Sequence, residues 1–328
     1  MHQATRNIGE SRWMNLFGIA SLTLLLAGPF ALGSAAQQAG QKTFSSAQAA
    51  SSALLTAAQS NDEKAMLDVL GPEGKRIVSS GDDTEDTQDR TTFIERYQQV
   101  HRLVKEPNGE TTLYVGPENW PFPIPLANKG GAWYFDTATG KREILYRRVG
   151  RNEMSTITVC EQLVAAQKEY FSTHSEYARN IFSDQGQQNG LYWKADGRQP
   201  QSPIGPLVAS AVAEGYTPPP AGGAPATPYR GYFFRVLTRQ GTGAVGGAKE
   251  YIASSKMTQG FAFVAYPAEY KSSGVMTFLI GPDGVVYRKD LGANTATLAK
   301  AMKAYNPDTT WKKDEDQQEQ QAATQGSN

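Results

Sequence analysis

The side chains that could perform acid–base or nucleophilic chemistry are few in this chain. After residue 36 the sequence holds two histidines, His101 and His174, and one cysteine, Cys160. It contains neither an H-E-x-x-H nor a G-x-S-x-G pattern, and a single cysteine cannot build a cysteine-based metal cluster. A histidine-dependent hydrolase would therefore have to use His101 or His174. The sequence predicts no metal ion and no cofactor.

The surroundings of these three residues favour structural roles. His101 falls in a stretch of helical periodicity, residues 91–104, on the same face as Tyr97. It could be buried and hydrogen-bonded there or could line a pocket, and the structural role is favoured because the sequence places no partner beside it. His174 is expected at a helix C-terminus, where it complements the helix dipole. Cys160 is expected to be a small buried residue.

The most unusual run is WPFPIP, which begins at Trp120 and ends at Pro125. Its three alternating prolines remove backbone donors, so the segment must be an edge strand or an extended rim. The aromatic side chains could line a cleft or cover the end of the sheet against Trp133, and packing is narrowly favoured. The candidate ligand-pocket residues are Tyr97, His101, Trp120, Phe122 and Trp133.

Two further patterns are weak indications of a binding site. The acidic run from Asp82 to Asp89 lacks the glycine and the final glutamate of a calcium loop, so we expect a solvated loop with Asp89 capping the next helix. The run from Gly241 to Gly246 matches G-x-G-x-x-G, but no apolar helix follows it. It is better interpreted as a flexible hairpin loop.

The composition limits the classes of function. The chain has 328 residues, enough for two ordinary domains or one large one. Lys plus Arg equals Asp plus Glu, at 32 each, so no overall charge favours nucleic acid as a partner. A hydrophobic share of 39% is sufficient for globular cores.

The N-terminal residues 1–36 are typical of a secretory signal peptide. Arg6 and Arg12 are followed by an apolar run at 16–32, and Ser34 and Ala36 are small residues at an A-x-A-like processing site. We expect a mature protein that begins at Gln37, is periplasmic or secreted, and has no membrane segment. The alternative is an uncleaved anchor. At the other end, residues 307–328 are expected to be a disordered tail.

The elements that would position these side chains divide into two units. The first, at 42–150, reads as three helices, strands at 111–115, 122–127 and 132–135 with a hairpin turn at 128–131, and a helix that ends before Gly150. The second, at 151–306, reads as a helix capped by Asn152 and packed on strands at 231–238, 260–266 and 275–288, with a turn at 281–284 and a last helix at 295–305. The predicted fold class is α+β.

Each unit resembles a known fold. The order of helices and curved antiparallel sheet in the first unit is similar to the nuclear-transport-factor-2-like fold. In the second, AAQKEYFSTHSEYA followed by GYFFRV, GFAFVAYP and TFLIGPDGVVYRKDLG resembles the globular heads of type IV pilins and pseudopilins. Pilins carry one apolar helix from the processed N-terminus into the head, whereas here the whole first unit intervenes. A pilin-like assembly component is therefore kept as an alternative function. The continuous apolar helix that leads into the head of a pilin is not found in this sequence.

The chain as a whole resembles a family of exported bacterial proteins described only as a domain of unknown function, of the DUF2950 type. The matching phrases are WPFPIPL, GGAWYFDTATGKREILYRRVGRNE, VCEQLVAAQKEY, FVAYPAEY and GVVYRKDLG. The resemblance implies export and supplies no activity, substrate or catalytic residue.

These observations favour a non-catalytic binding or interaction module in the bacterial envelope, with a small ligand or an unknown envelope protein as partner. The alternative is a hydrolase-like enzyme with a pocket in the first unit, and whether the chain is an enzyme is left open. A cavity that holds His101 and an acidic group within hydrogen-bond reach would favour the enzyme. A filled core there would favour the binding module.

Overall fold

The computed structural model describes residues 37–194, 200–219 and 227–314. The expected signal peptide, and residues 315–328 of the expected tail, lie outside the described residues. The helices are α1 (Ala47–Gln59), α2 (Glu63–Leu70), α3 (Lys75–Val78), α4 (Asp83–Gln99), α5 (Thr137–His174), α6 (Gly205–Ala213) and α7 (Thr295–Ala301).

Among the described residues the strands form two sheets of five strands each and three small pairs. They are β1 (His101–Lys105), β2 (Thr111–Val115), β3 (Trp120–Pro121), β4 (Leu126–Lys129), β5 (Ala132–Phe135), β6 (Asn180–Phe182), β7 (Gly190–Tyr192), β8 (Tyr232–Leu237), β9 (Arg239–Gln240), β10 (Lys249–Glu250), β11 (Ile252–Ala253), β12 (Lys256–Met257), β13 (Ala262–Pro267), β14 (Met276–Ile280), β15 (Val286–Asp290) and β16 (Lys312–Lys313). Helices with antiparallel sheets confirm the α+β class.

The first sheet has the order β1-β2-β4-β5, with β3 paired to β2, and packs against α1 and α2. Leu54, Met66 and Phe135 lie in this core. The predicted hairpin between the last two strands is confirmed, because β4 and β5 pair in register around Gly130 and Gly131. Both glycines have positive φ, 62° and 87°, as a two-residue hairpin turn requires.

The second sheet has the antiparallel order β16-β15-β14-β13-β8. Helix α5 covers one face and α7 the other, so this core has three layers rather than the single helix on a sheet that we expected. Ala265 pairs with both Phe234 and Phe278, which places these two aromatic residues on one face. Phe233 is on the opposite face, where its ring lies 5.5 Å from that of Tyr266. The predicted turn at 281–284 is confirmed, since Gly284 N–H donates to the Gly281 carbonyl over 3.1 Å.

Helix α5 is continuous from Thr137 to His174, so the predicted helix end at Gly150 and the predicted cap at Asn152 are both wrong. Glycine in a helix interior costs only about 1 kcal/mol relative to alanine, and packing on both sides of it outweighs that cost. Asn152 is 1% exposed. Its side-chain amide donates to Glu85 Oε2 and to the Ser273 carbonyl, both over 3.0 Å.

The acidic run is a helix rather than a loop. Asp82, not Asp89, caps α4 by accepting from the Glu85 N–H over 3.1 Å. Acidic residues in a first turn are stabilised by the helix dipole, which explains why this run is helical. The helix ends at Gln99, and Val100 is extended with φ of −161°. His101 therefore begins β1 and does not lie on a helix, which corrects the prediction for residues 91–104.

The last helix is shorter than predicted, because α7 ends at Ala301 and Met302 is extended. Leu298 is 48% exposed, whereas Ala299 is fully buried. Within the described residues no helix combines the length and the apolar character needed to cross a membrane.

Candidate functional site

A largely apolar cleft of about 350 Å³ lies between α5, α6, β6 and β8. Its lining comes from these elements, from the chain on either side of β6 and α6, and from the residues that precede β8. The apolar side chains that line it are those of Val159, Leu163, Ile181, Phe182, Ile204, Leu207, Val208, Ala211, Tyr216, Pro218, Pro219, Pro228, Tyr229, Phe234 and Val236.

Helix α5 supplies the base of the cleft. Val159 and Leu163 are one helical turn apart, so they share a face and point to the same side. They are 6% and 1% exposed because they also belong to the core beneath the second sheet. The base is therefore held by the packing of the core, which makes this side of the cleft rigid.

Helix α6 forms one wall. Its sequence GPLVASAVA begins with a proline in the first turn, where the missing N–H costs nothing. Leu207 and Ala211 are four residues apart and line the cleft together with Val208. Ile204, just before the helix, is 4% exposed and donates its N–H to the Leu191 carbonyl, which ties the wall to β7.

Strand β8 forms the opposite wall through Phe234 and Val236. Alternation along the strand puts these two side chains on the α5 face and turns Arg235 to the other face. There the Arg235 guanidinium donates to the Ala299 carbonyl over 2.7 Å and to the Met302 carbonyl, at the end of α7.

The rim of the cleft is anchored by a buried carboxylate. Tyr216 donates its hydroxyl to Asp82 Oδ2 over 3.1 Å, and Gly231 N–H donates to the same oxygen over 2.8 Å. The Tyr216 ring meets that of Tyr229 edge-on at 4.9 Å. Burial raises the pKa of Asp82, and burial together with the Asp82 charge raises the pKa of Tyr216. These shifts follow from packing at the rim.

The charged residues that line the cleft are Arg179, Asp184 and Arg235, and the Arg235 guanidinium is turned away toward the end of α7. Arg179 is exposed and donates to the Ser255 carbonyl over 2.7 Å, and Asp184 accepts from the Asn189 amide over 2.7 Å. Among the described residues that line the cleft there is no histidine, cysteine or lysine. The arrangement can therefore bind an apolar group and offers little for acid–base or nucleophilic chemistry.

The five predicted pocket residues lie elsewhere, on the first sheet and α4. Tyr97 is 3% exposed and hydrogen-bonds Ser51 Oγ over 2.8 Å. The Phe122 ring lies 6.3 Å from that of Trp120 and 6.0 Å from that of Phe135. These contacts bring Tyr97, Trp120 and Phe122 into one cluster, whereas Trp133 packs with a neighbouring one. None of the five lines the cleft described above.

His101 is exposed at the start of β1. Its ring stacks on Tyr97 at 3.9 Å, and its Nδ1 lies 3.0 Å from the Tyr97 carbonyl oxygen. No carboxylate in the described part of the chain is hydrogen-bonded to it. The pairing that a hydrolase would need is therefore not formed here.

His174 and Cys160 have the structural roles that were expected. His174 lies in the last turn of α5, where its Nδ1 is 3.1 Å from the Tyr170 carbonyl oxygen. Cys160 is fully buried, and burial, with a smaller effect of Glu161, raises the pKa of its thiol to about 12. No group of three or more metal-binding side chains occurs among the residues that the structure describes.

Sequence reasoning missed the cleft because its walls are far apart in the chain. Phe182 and Pro218 come from stretches rich in Gln, Gly and Pro, where neither helical nor strand periodicity is present. The only local signal was the short apolar run of α6. Its position against Leu163 and Phe234 depends on contacts between distant elements.

Comparison with known proteins places the chain in one family. No match was found among curated proteins, and none was found among solved structures. Residues 41–313 match a family model described as "Protein of unknown function (DUF2950)", and the chain therefore belongs to this family.

Proposed function

We propose that this chain is an exported bacterial envelope protein that acts by binding, and that the cleft between α5, α6 and β8 receives an apolar ligand or an apolar part of a partner. The observation that carries the proposal is the cleft itself. Its volume of about 350 Å³ falls within the range of small-molecule sites, roughly 300 to 1,000 Å³. Among the described residues, fifteen apolar side chains and only three charged residues line it.

Export is supported by residues 1–36. The basic residues Arg6 and Arg12, the apolar run at 16–32 and the small residues Ser34 and Ala36 follow the order of a secretory signal. We expect a mature N-terminus at Gln37. Mass spectrometry of the exported protein checks this, and retention of residues 1–32 would show a tethered protein instead.

Binding in the cleft can be tested by filling it. Ala211 is half-buried and lines the cleft, so Ala211→Trp places an indole ring in the space that a ligand would use. We expect this variant to bind the apolar dye N-phenyl-1-naphthylamine at least tenfold more weakly than the unchanged protein, measured by fluorescence titration. The lost affinity reflects the apolar contacts that the ring displaces.

Val212→Trp is the matched control. Val212 is the next residue of α6 and is 51% exposed, so the same ring would point into solvent. Dye binding should then be unchanged. Equal dye binding by Ala211→Trp, Val212→Trp and the unchanged protein would exclude the cleft as the binding site.

A further inference from the structure

The wall formed by β8 is one edge of the second sheet, and part of its backbone pairs with no other residue that the structure describes. The Ala268 N–H donates to the Gly231 carbonyl over 2.8 Å. Together with the register of the two strands, this bond shows which residues of β8 form backbone hydrogen bonds with β13. In an antiparallel pair, alternate residues direct their N–H and C=O groups toward the partner. Phe233, Arg235 and Leu237 therefore bond to β13, whereas Phe234 and Val236 direct both backbone groups away from it.

The unpaired stretch is short and has defined ends. At one end the Tyr229 N–H donates to the Tyr232 carbonyl over 2.8 Å, and at the other the Tyr251 N–H donates to the Thr238 carbonyl over 2.9 Å. Between them the N–H and C=O groups of Phe234 and Val236 have no hydrogen-bond partner in the described part of the chain. These four groups lie at the wall of the cleft.

Three other edge strands of the five-stranded sheets are protected against pairing. Strand β5 is covered by Phe44, which exchanges two backbone hydrogen bonds with Trp133, at 2.8 and 2.9 Å. Strand β1 carries Arg102 and Lys105, and β16 consists of two lysines. Charged residues and covered backbones are the usual means of keeping an edge free of other strands. On β8 the only charged side chain, Arg235, turns to the far face.

We propose that the edge of β8 takes up an extended, apolar segment of another polypeptide, about five residues long, as an added β-strand. Backbone groups of the segment bond to Phe234 and Val236, and alternate side chains enter the apolar cleft. Arg179 has no carboxylate partner among the described residues, so charge complementarity favours an acidic residue at one end of the segment. This inference rests on the proposed binding function and names the class of ligand.

The test uses the protein from residue 37 onward and a fluorescein-labelled heptapeptide with blocked ends. The peptide alternates threonine and valine and has glutamate as its last residue. Binding is measured by fluorescence anisotropy. Val236→Pro removes one outward N–H and leaves the β8–β13 bonds in place, because proline is tolerated on an edge strand whose N–H faces outward. We expect it to weaken peptide binding at least tenfold. Val236→Ala keeps the N–H and should weaken binding less than threefold.

A second measurement does not depend on any protein variant. Two versions of the peptide carry N-methyl groups on alternate backbone nitrogens. One version is methylated at the odd-numbered positions of the peptide and the other at the even-numbered positions. Because only every second N–H of an added strand faces its neighbour, one version should lose at least tenfold in affinity and the other should bind within threefold of the parent. Equal affinities for the two versions would overturn the proposal.

The remaining outcomes separate this inference from the proposed function. If N-phenyl-1-naphthylamine binds and dodecanoate displaces it while the peptide does not, the cleft is a lipid-type site and strand addition is wrong. If neither dye nor peptide binds, the proposed function fails together with the inference. Peptide binding that is unchanged in Val236→Pro, with the dye still bound, would place the peptide away from β8.

Discussion

Asp82 joins three parts of the chain through one carboxylate. It caps α4, and it accepts hydrogen bonds from Tyr216 and Gly231, which lie 134 and 149 residues further along the chain. The residue is 1% exposed. The same side chain thus fixes the start of a helix, the rim of the cleft and the residue that precedes β8.

We predict that Asp82→Ala lowers the free energy of unfolding by about 3 kcal/mol. The substitution leaves the buried Gly231 N–H and Tyr216 hydroxyl without an acceptor, at about 1–3 kcal/mol for each group, and removes a helix cap. Urea unfolding measures the loss. Asp83→Ala, one residue further along and exposed, should stay within about 0.5 kcal/mol of the unchanged protein. Similar losses in the two variants would show that the Asp82 contacts contribute little.

The role of Asp82 could be predicted only in part. An aspartate before a helical run is a common cap, but the sequence pattern pointed to Asp89, whereas Asp82 caps the helix. The burial of Asp82, Glu85 and Asp86 was beyond local reasoning, because five charged residues in eight positions normally indicate solvent. Asp86 and Glu85 pair with Arg148 and Arg151, which lie on α5 some sixty residues away in the chain.

At the scale of elements, α5 contains two glycines in very different surroundings. A Cβ on Gly140 would lie 2.4 Å from the Pro123 carbonyl oxygen and 2.5 Å from Ile124 Cα. The absence of a side chain lets the helix approach the proline-rich segment from Trp120 to Pro125 this closely. At Gly150 a Cβ would meet nothing within 4 Å.

We predict opposite effects for the same substitution at these two positions. Gly140→Ala should destabilise by about 1–3 kcal/mol, because backbone atoms must move to admit the methyl group. Gly150→Ala should stabilise by up to about 1 kcal/mol, since alanine is the better helix former. Thermal unfolding of the two variants checks both. A stabilised Gly140→Ala variant would show that the contact between α5 and the segment from Trp120 to Pro125 is loose.

Strand bounds were predicted well where turn residues flank the strand, but the strand predicted at 122–127 is wrong, because 122–125 lies between β3 and β4. The bounds of β2 and β5 agree with the sequence pattern, because alternation and turn residues such as Gly130 are local signals. The end of a helix at Gly150 was also a local signal, but tertiary packing overrides a glycine. The division into units at 42–150 and 151–306 stays a prediction, since the helix passes from one to the other.

At the scale of the whole molecule, two hydrophobic cores share one helix. Ile144 packs on the first core, and Leu163 and Val164 belong to the second. Between them the Arg148 guanidinium donates to the carbonyls of Arg76 and Ile77, over 2.8 and 2.7 Å. Loss of one core would therefore remove support from the middle of α5.

We predict a single cooperative unfolding transition for residues 37–328. Hydrogen exchange followed by mass spectrometry in increasing urea should show β2 and β13 losing protection at the same concentration. Two separate midpoints would contradict this and would show that 42–150 and 151–306 behave as independent domains.

The shared helix also has a consequence for the order in which the chain is made. Synthesis delivers α5 well before the strands that cover its second half, because Phe263 follows Leu163 by a hundred residues. At about 5–20 residues per second, the apolar stripe of α5 is left uncovered for roughly 5–20 s. The first core can fold in that time, but the apolar stripe of α5 cannot be buried before its strands are made. A nascent chain of this protein is thus most prone to aggregate after its first half has folded, while it waits for β8, β13 and β14.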